Sequence, residues 1–312
     1  MIAFQFSGAR GIAPRYPVRP SYIIAHTNGG IFVHPDKANN EPFVKAAASG
    51  IAYILLYWVI SGAVFLFFLL GYVLFGDEIA LGGNAEEYAS LLGAWVNQRW
   101  NGIAICYLAV EIAVFLCIIR KKRLSSFHLG ELDSVKAVCL VVGITVTLTV
   151  AVNYTRYYIL ASGVFSPSDS AAQSVNTGTL PVRLLKSVVL APIAEELVFH
   201  GAAFPCMCRG MSKPVAAILV SILFAMSHFG DAVTTVYALF ISLVILFAMH
   251  ATRSLLSGIL MHVLYNLTCI ATEYIPVTSA ACLVLAIIGI VTLILLLVYL
   301  CKQFQKPDRP NK

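Results

Sequence analysis

The sequence predicts an all-α fold, a polytopic membrane helical bundle of about eight transmembrane helices. Three observations carry that expectation. Hydrophobic residues make up 59% of the 312 and charged residues 12%, with a mean hydropathy of +0.85, too apolar for a surface that faces water on all sides. The run 51–75 holds no charge and exceeds the ~20 residues a helix needs to cross a bilayer. Comparable runs follow it along most of the chain, several of them closed by basic residues.

Residues 1–46 precede the first run as a cytoplasmic tail. Pro14, Pro17 and Pro20 alternate there with Arg10, Arg15 and Arg19, a composition that favours extended, solvated chain. No early apolar core marks a cleavable signal, so insertion is expected to use the first span. A Gly-rich, acidic external loop follows 51–75, and a second span, 102–119, stops at the Arg120, Lys121, Lys122, Arg123 cluster. The third span is 137–154, and a polar external loop with Ser166, Asp169 and Ser174 comes after it. Four apolar segments then run close together, at 184–208, 214–229, 232–250 and 254–272. A last span, 280–301, closes a transmembrane domain of 47–301, and a basic tail, 302–312, ends the chain.

With these spans alternating, 17 of the 21 Lys and Arg fall on one side, which places both termini in the cytoplasm of a multi-pass cell-membrane protein. The net charge of +6 therefore reads topology and lipid contact, with no nucleic-acid partner implied. The eight cysteines lie in or beside apolar runs, where a disulfide framework is not expected. No internal repeat is visible, which argues against the inverted-repeat transporters.

The chemistry concentrates in the four crowded segments. An acid within a span costs on the order of 2.5–3.5 kcal/mol, so the adjacent Glu195 and Glu196 demand a reason. Two neighbouring carboxyls in low dielectric do not both ionise without a cation, which suits one of them to act as a general base. His200 lies four residues after Glu196 and shares its helix face. Phe224 and His228 have the same spacing in the next segment, as do His262 and Asn266 in the last, which offer two hydrogen-bonding side chains to one space. Pro192, Gly201 and Gly258 permit a kink or close packing nearby. Glu111 interrupts the second span and is left outside the site, with a bundle-facing acid and a proton-pathway residue both open.

In these residues the chain resembles the CAAX-protease and bacteriocin-processing superfamily, also called Abi proteins, which includes the Ras-converting CAAX endopeptidase. The pattern is two glutamates with Arg after three residues, then Phe-x-x-x-His, then His-x-x-x-Asn or Asp, on separate membrane helices. Here Glu195-Glu196, Phe224 to His228 and His262 to Asn266 supply it in order, across a core of 182–272. One position departs: His200 stands where the family has arginine.

The resemblance implies an intramembrane endopeptidase. Glu195, assisted by His228, would activate water. His262 and Asn266 would stabilise the oxyanion, while Glu196, His200 and Phe224 support the site from behind. The substrate would be a membrane-associated peptide or protein, prenylated or a bacteriocin-like precursor. Glu195, His228 and His262 are the candidates for a zinc site, yet no His-Glu-x-x-His spacing is present, and metal-free glutamate chemistry is the favoured expectation. Two alternatives stay open: a proton- or ion-coupled transporter, since buried Glu and His also build proton relays, and an inactive family member acting in bacteriocin self-immunity or signalling.

Overall fold

The computed structural model describes residues 26–27, 30–31, 41–75, 85–122, 135–162, 178–228, 232–272, 274 and 278–304. The expected basic tail 302–312, most of the tail 1–46, the start of the acidic loop at 76–84 and the polar loop at 163–177 lie largely outside them. The chain divides into Met1–Lys37 and Ala38–Lys312. In the first unit, β1 (His26–Thr27) and β2 (Gly30–Ile31) form a minimal antiparallel ladder, with His26 opposite Ile31.

The second unit is the all-α bundle. Its helices are α1 (Phe43–Phe75), α2 (Ala85–Lys122), α3 (Val135–Ala161), α4 (residues 180–207), α5 (Lys213–Met226), α6 (Ala232–Thr252), α7 (Leu255–Thr272) and α8 (Ser279–Phe304). Among the described residues, α1, α2, α3, α6, α7 and α8 are each long and apolar enough to cross a bilayer. With α4 and α5 they make a bundle of eight helices among the described residues, as expected, of which these six have the length and composition of spans. Large apolar residues stay exposed along α1 and α8, including Phe67, Leu70, Ile287 and Leu295, as suits surfaces bathed in lipid. The helix α2 begins 17 residues before its predicted span. It has 38 residues, about 57 Å, far more than a hydrocarbon core of about 30 Å requires. Glu86 and Glu87 in its first turn and Arg120 to Lys122 in its last complement the helix dipole at both ends.

The bundle core forms around α4, whose Leu197 to Ala203 stretch is buried against α1, α2, α5, α6 and α7. This helix does not hold one register. Residues Leu184–Leu190 and Glu196–Ala203 are π-helical, with α-helical turns before, between and after them. Each π segment runs up to a proline, Pro192 or Pro205. A proline has no N–H and its ring crowds the carbonyl four residues back, so widening the preceding turn relieves the clash. The cost is an unpaired carbonyl. Ala191 N–H donates to Lys186 O, so the next acceptor in that register, Ser187 O, faces Pro192 and gets nothing from the helix.

The helices α3 and α8 cross closely at Gly289. A Cβ placed on Gly289 would stand 2.4 Å from Ala151 N and 2.8 Å from its Cα, atoms that cannot move aside. Without a hydrophobic drive between helices in lipid, such backbone approach supplies much of the packing energy. Gly289→Ala is therefore expected to destabilise the protein by about 1–3 kcal/mol, seen as a lower thermal midpoint in detergent. Gly62→Ala, where a Cβ meets nothing within 4 Å, is the control that should not fall. Equal midpoints for the two variants would mean that α3 and α8 do not cross at Gly289.

Candidate active site

Three helices deliver the site. Glu195 and Glu196 sit where α4 changes from α to π register, His200 lies in the same π segment, and Phe224 and His228 come from the end of α5. His262 projects from the middle of α7. α5 has only 14 residues, about 21 Å, short of a bilayer core. The chain leaves the helix at Ser227 and His228, irregular backbone of the kind that is tolerated at membrane depth where it is enclosed by protein or lines a wet cavity.

The two adjacent glutamates do different things. Glu196 is fully buried and clamped on both oxygens: His200 Nδ1 meets Oε2 at 2.5 Å and His262 Nδ1 meets Oε1 at 2.9 Å. Glu195 has a side chain 16% exposed, and its Oε2 faces His228 Nε2 at 3.8 Å and His262 Nε2 at 3.7 Å. Those separations exceed direct hydrogen bonds, leaving the carboxylate with unsaturated acceptor capacity at an accessible place. His262 joins both acids, with Nδ1 on one and Nε2 toward the other.

His228 is oriented from behind. Its Nδ1 lies 2.9 Å from Phe224 O, a group that only accepts, so Nδ1 carries a proton and a neutral ring presents Nε2 bare to the site. Phe224 touches all three imidazoles. Its ring centroid is 4.5 Å from His228, 5.8 Å from His262 and 6.0 Å from His200, and Phe199 meets it edge-on at 5.2 Å. One buried apolar ring therefore fixes the spacing of three polar ones.

Asn266 is partly elsewhere. Its Nδ2 donates to Ser187 O at 2.9 Å, the carbonyl that Pro192 leaves without a helical partner. His262 and Asn266 thus do not bond one common target. Gly258 explains how α7 comes close enough for His262 to reach Glu196. A Cβ there would lie 2.6 Å from Met249 Sδ and 3.0 Å from Glu196 Oε2. Gly258→Ala is expected to cut activity by about tenfold or more through Glu196. Adding Met249→Ala, which clears the sulfur, should recover thermal stability but not turnover. Recovery of both would place the effect in packing alone.

Sequence reasoning missed Ser242 of α6 and Ser221 of α5, which extend the buried network. His200 Nε2 is 3.0 Å from Ser242 Oγ, and Ser242 Oγ donates to Ser221 Oγ at 2.9 Å. Glu111, kept apart from the site, is buried in α2 with Oε1 bonded by Ser61 Oγ of α1 and Oε2 without a hydrogen-bond partner. Among the described residues, no group of three or more His, Cys, Asp or Glu side chains is arranged as a metal site.

Comparison with known proteins bears on this segment. No curated protein and no solved structure is significantly similar to the chain. Residues 177–268 match the family model described as type II CAAX prenyl endopeptidase Rce1-like. That stretch contains α4, α5, α6 and most of α7, hence every residue of the converging Glu and His groups. The match is to an Rce1-like domain over this stretch of the chain and agrees with the CAAX-protease resemblance that the Glu195-Glu196, Phe224 to His228 and His262 to Asn266 motifs carry.

Proposed function

We propose that the chain is an endopeptidase that hydrolyses a peptide bond of a membrane-associated substrate with water activated by Glu195 and His228. The observation that carries this reading is the convergence of two imidazole Nε2 atoms on Glu195 Oε2 at 3.7 and 3.8 Å, too long for direct hydrogen bonds, so that a water lying beside them can bond the carboxylate and an imidazole together. In the proposed step, water oxygen attacks the peptide carbonyl carbon while its proton passes to Glu195. His262, held through Nδ1 by Glu196, and Asn266 face the oxyanion. Asn266 has two amide hydrogens, so anchoring one on Ser187 O leaves the other for this role. When the tetrahedral intermediate collapses, the C–N bond breaks and the proton on Glu195 goes to the departing amine.

Both termini are proposed to face the cytoplasm, following the bias of Lys and Arg. Glu195 then lies about 20 Å along α4 from the basic side at Arg209, deep in the membrane. The proposed substrate is a peptide or protein terminus presented from the lipid, prenylated or a bacteriocin-like precursor. The test is to incubate the full chain in proteoliposomes with internally quenched peptides ending in Cys-aliphatic-aliphatic-X, farnesylated or unmodified, and to identify products by mass spectrometry. A new C-terminus is expected, and a chelator should leave its rate unchanged. Proton flux along an imposed gradient with no peptide cleaved would replace this reading by a transporter.

A further inference from the structure

The position that departs from the family pattern is embedded in a chain of hydrogen bonds contributed by four helices. Ser221 of α5, Ser242 of α6, His200 and Glu196 of α4 and His262 of α7 follow one another at 2.9, 3.0, 2.5 and 2.9 Å. Four of the five are fully shielded and His262 is nearly so, so no water competes for these bonds. Ser242 donates to Ser221, so it meets His200 Nε2 as an acceptor. A carboxylate likewise meets Nδ1 as an acceptor. Both ring nitrogens then donate, which is the bonding state of an imidazolium, and the flat, delocalised cation beside Glu196 is the nearest that histidine comes to a guanidinium.

We propose that Ser242 and Ser221 are positioning residues that hold His200 in the two-donor state, so that a histidine and two hydroxyls replace the arginine of the family pattern. Their hydroxyls fix the ring plane and take the second proton, His200 then fixes Glu196, and Glu196 fixes His262 against Glu195. The catalytic consequence rests on the protease reading above, but the hydrogen-bond assignment does not. Serine is accepted at both sites because it is small enough to lie within the bundle. Alanine at 242 would leave His200 Nε2 a buried donor with nothing to bond, and alanine at 221 would remove the acceptor that sets the direction of the Ser242 hydroxyl.

The test uses the full chain in lipid with 15N-labelled histidine, His200 being assigned by the signals lost in His200→Gln. Both His200 nitrogens are expected in the protonated range. Ser242→Ala should move Nε2 out of it, Ser221→Ala should shift it less, and Ser242→Thr should keep the wild-type position. Identical His200 signals in wild type and Ser242→Ala would overturn the proposal. In parallel, kcat and KM are measured on the same quenched peptides. Ser242→Ala should lower kcat on the order of 10- to 100-fold with KM unchanged, and Ser242→Thr should restore it. An unchanged kcat with altered His200 signals would remove the positioning role. If wild type cleaves no peptide, the protease reading fails, while the nitrogen signals still decide the assignment.

Discussion

Glu195→Gln is expected to lower kcat for peptide hydrolysis by two to four orders of magnitude, roughly what a positioned general base contributes. The amide keeps the size of the carboxyl and cannot take a proton from water at neutral pH. Its effect on stability should be small. Glu195 makes no direct hydrogen bond to either imidazole, since the separations of 3.7 and 3.8 Å are too long. The side chain also reaches accessible space, so the glutamine is not left dry. The measurements are kcat on quenched peptides in proteoliposomes and the thermal midpoint in detergent. A variant that kept more than a tenth of wild-type turnover would put the base elsewhere. One that lost activity and melted early would make Glu195 structural.

This separation of two neighbouring acids was only half legible in the sequence. Charges and histidines within apolar runs stand out because lipid penalises them, and that alone located Glu195, Glu196, His200, His228 and His262. What hydropathy cannot say is which carboxylate turns inward. Successive residues on a helix point about 100° apart, and the π turn beginning at Glu196 alters even that rotation, so the assignment waits for the packing of α4. Pro192 was legible as an irregularity. Its consequence, an orphaned Ser187 carbonyl that engages Asn266, depends on α7 lying alongside.

Ser242 and Ser221 were not legible at all. A serine inside an apolar helix ordinarily bonds its own backbone, so its presence carries no signal until the partner on another helix is known. Helix limits were missed for a different reason. The apolar run 102–119 marks the lipid-facing length of α2, whereas the helix continues through Trp95 and Arg99, which stack as a cation–π pair outside that run. At α5 the error has the opposite sign, since the predicted segment ran to residue 229 and the helix ends at Met226.

Glu196 should respond in a way that Glu195 does not, because its variants strike fold and chemistry together. Glu196→Ala removes the acceptor from two buried imidazoles at once, one on α4 and one on α7. Breaking a buried charged pair from one side costs about 3–5 kcal/mol, chiefly as desolvation of the partner left behind. A melting midpoint well below that of Glu195→Gln is therefore expected, with peptide hydrolysis undetectable. Glu196→Gln divides the loss. Its remaining oxygen can accept from His200 or from His262, but its amide nitrogen then meets the other ring donor to donor, so its midpoint should fall between those of wild type and Glu196→Ala. The double variant Glu196→Ala/His262→Leu supplies the decisive comparison. Removing both partners of one bond leaves only His200 unpaired on that side, so part of the lost stability should return although activity does not. If Glu196→Ala melts with wild type, or if the second substitution only adds to the loss, then Glu196 does not tie α4 to α7, and His262 must owe its orientation toward Glu195 to Phe224 instead.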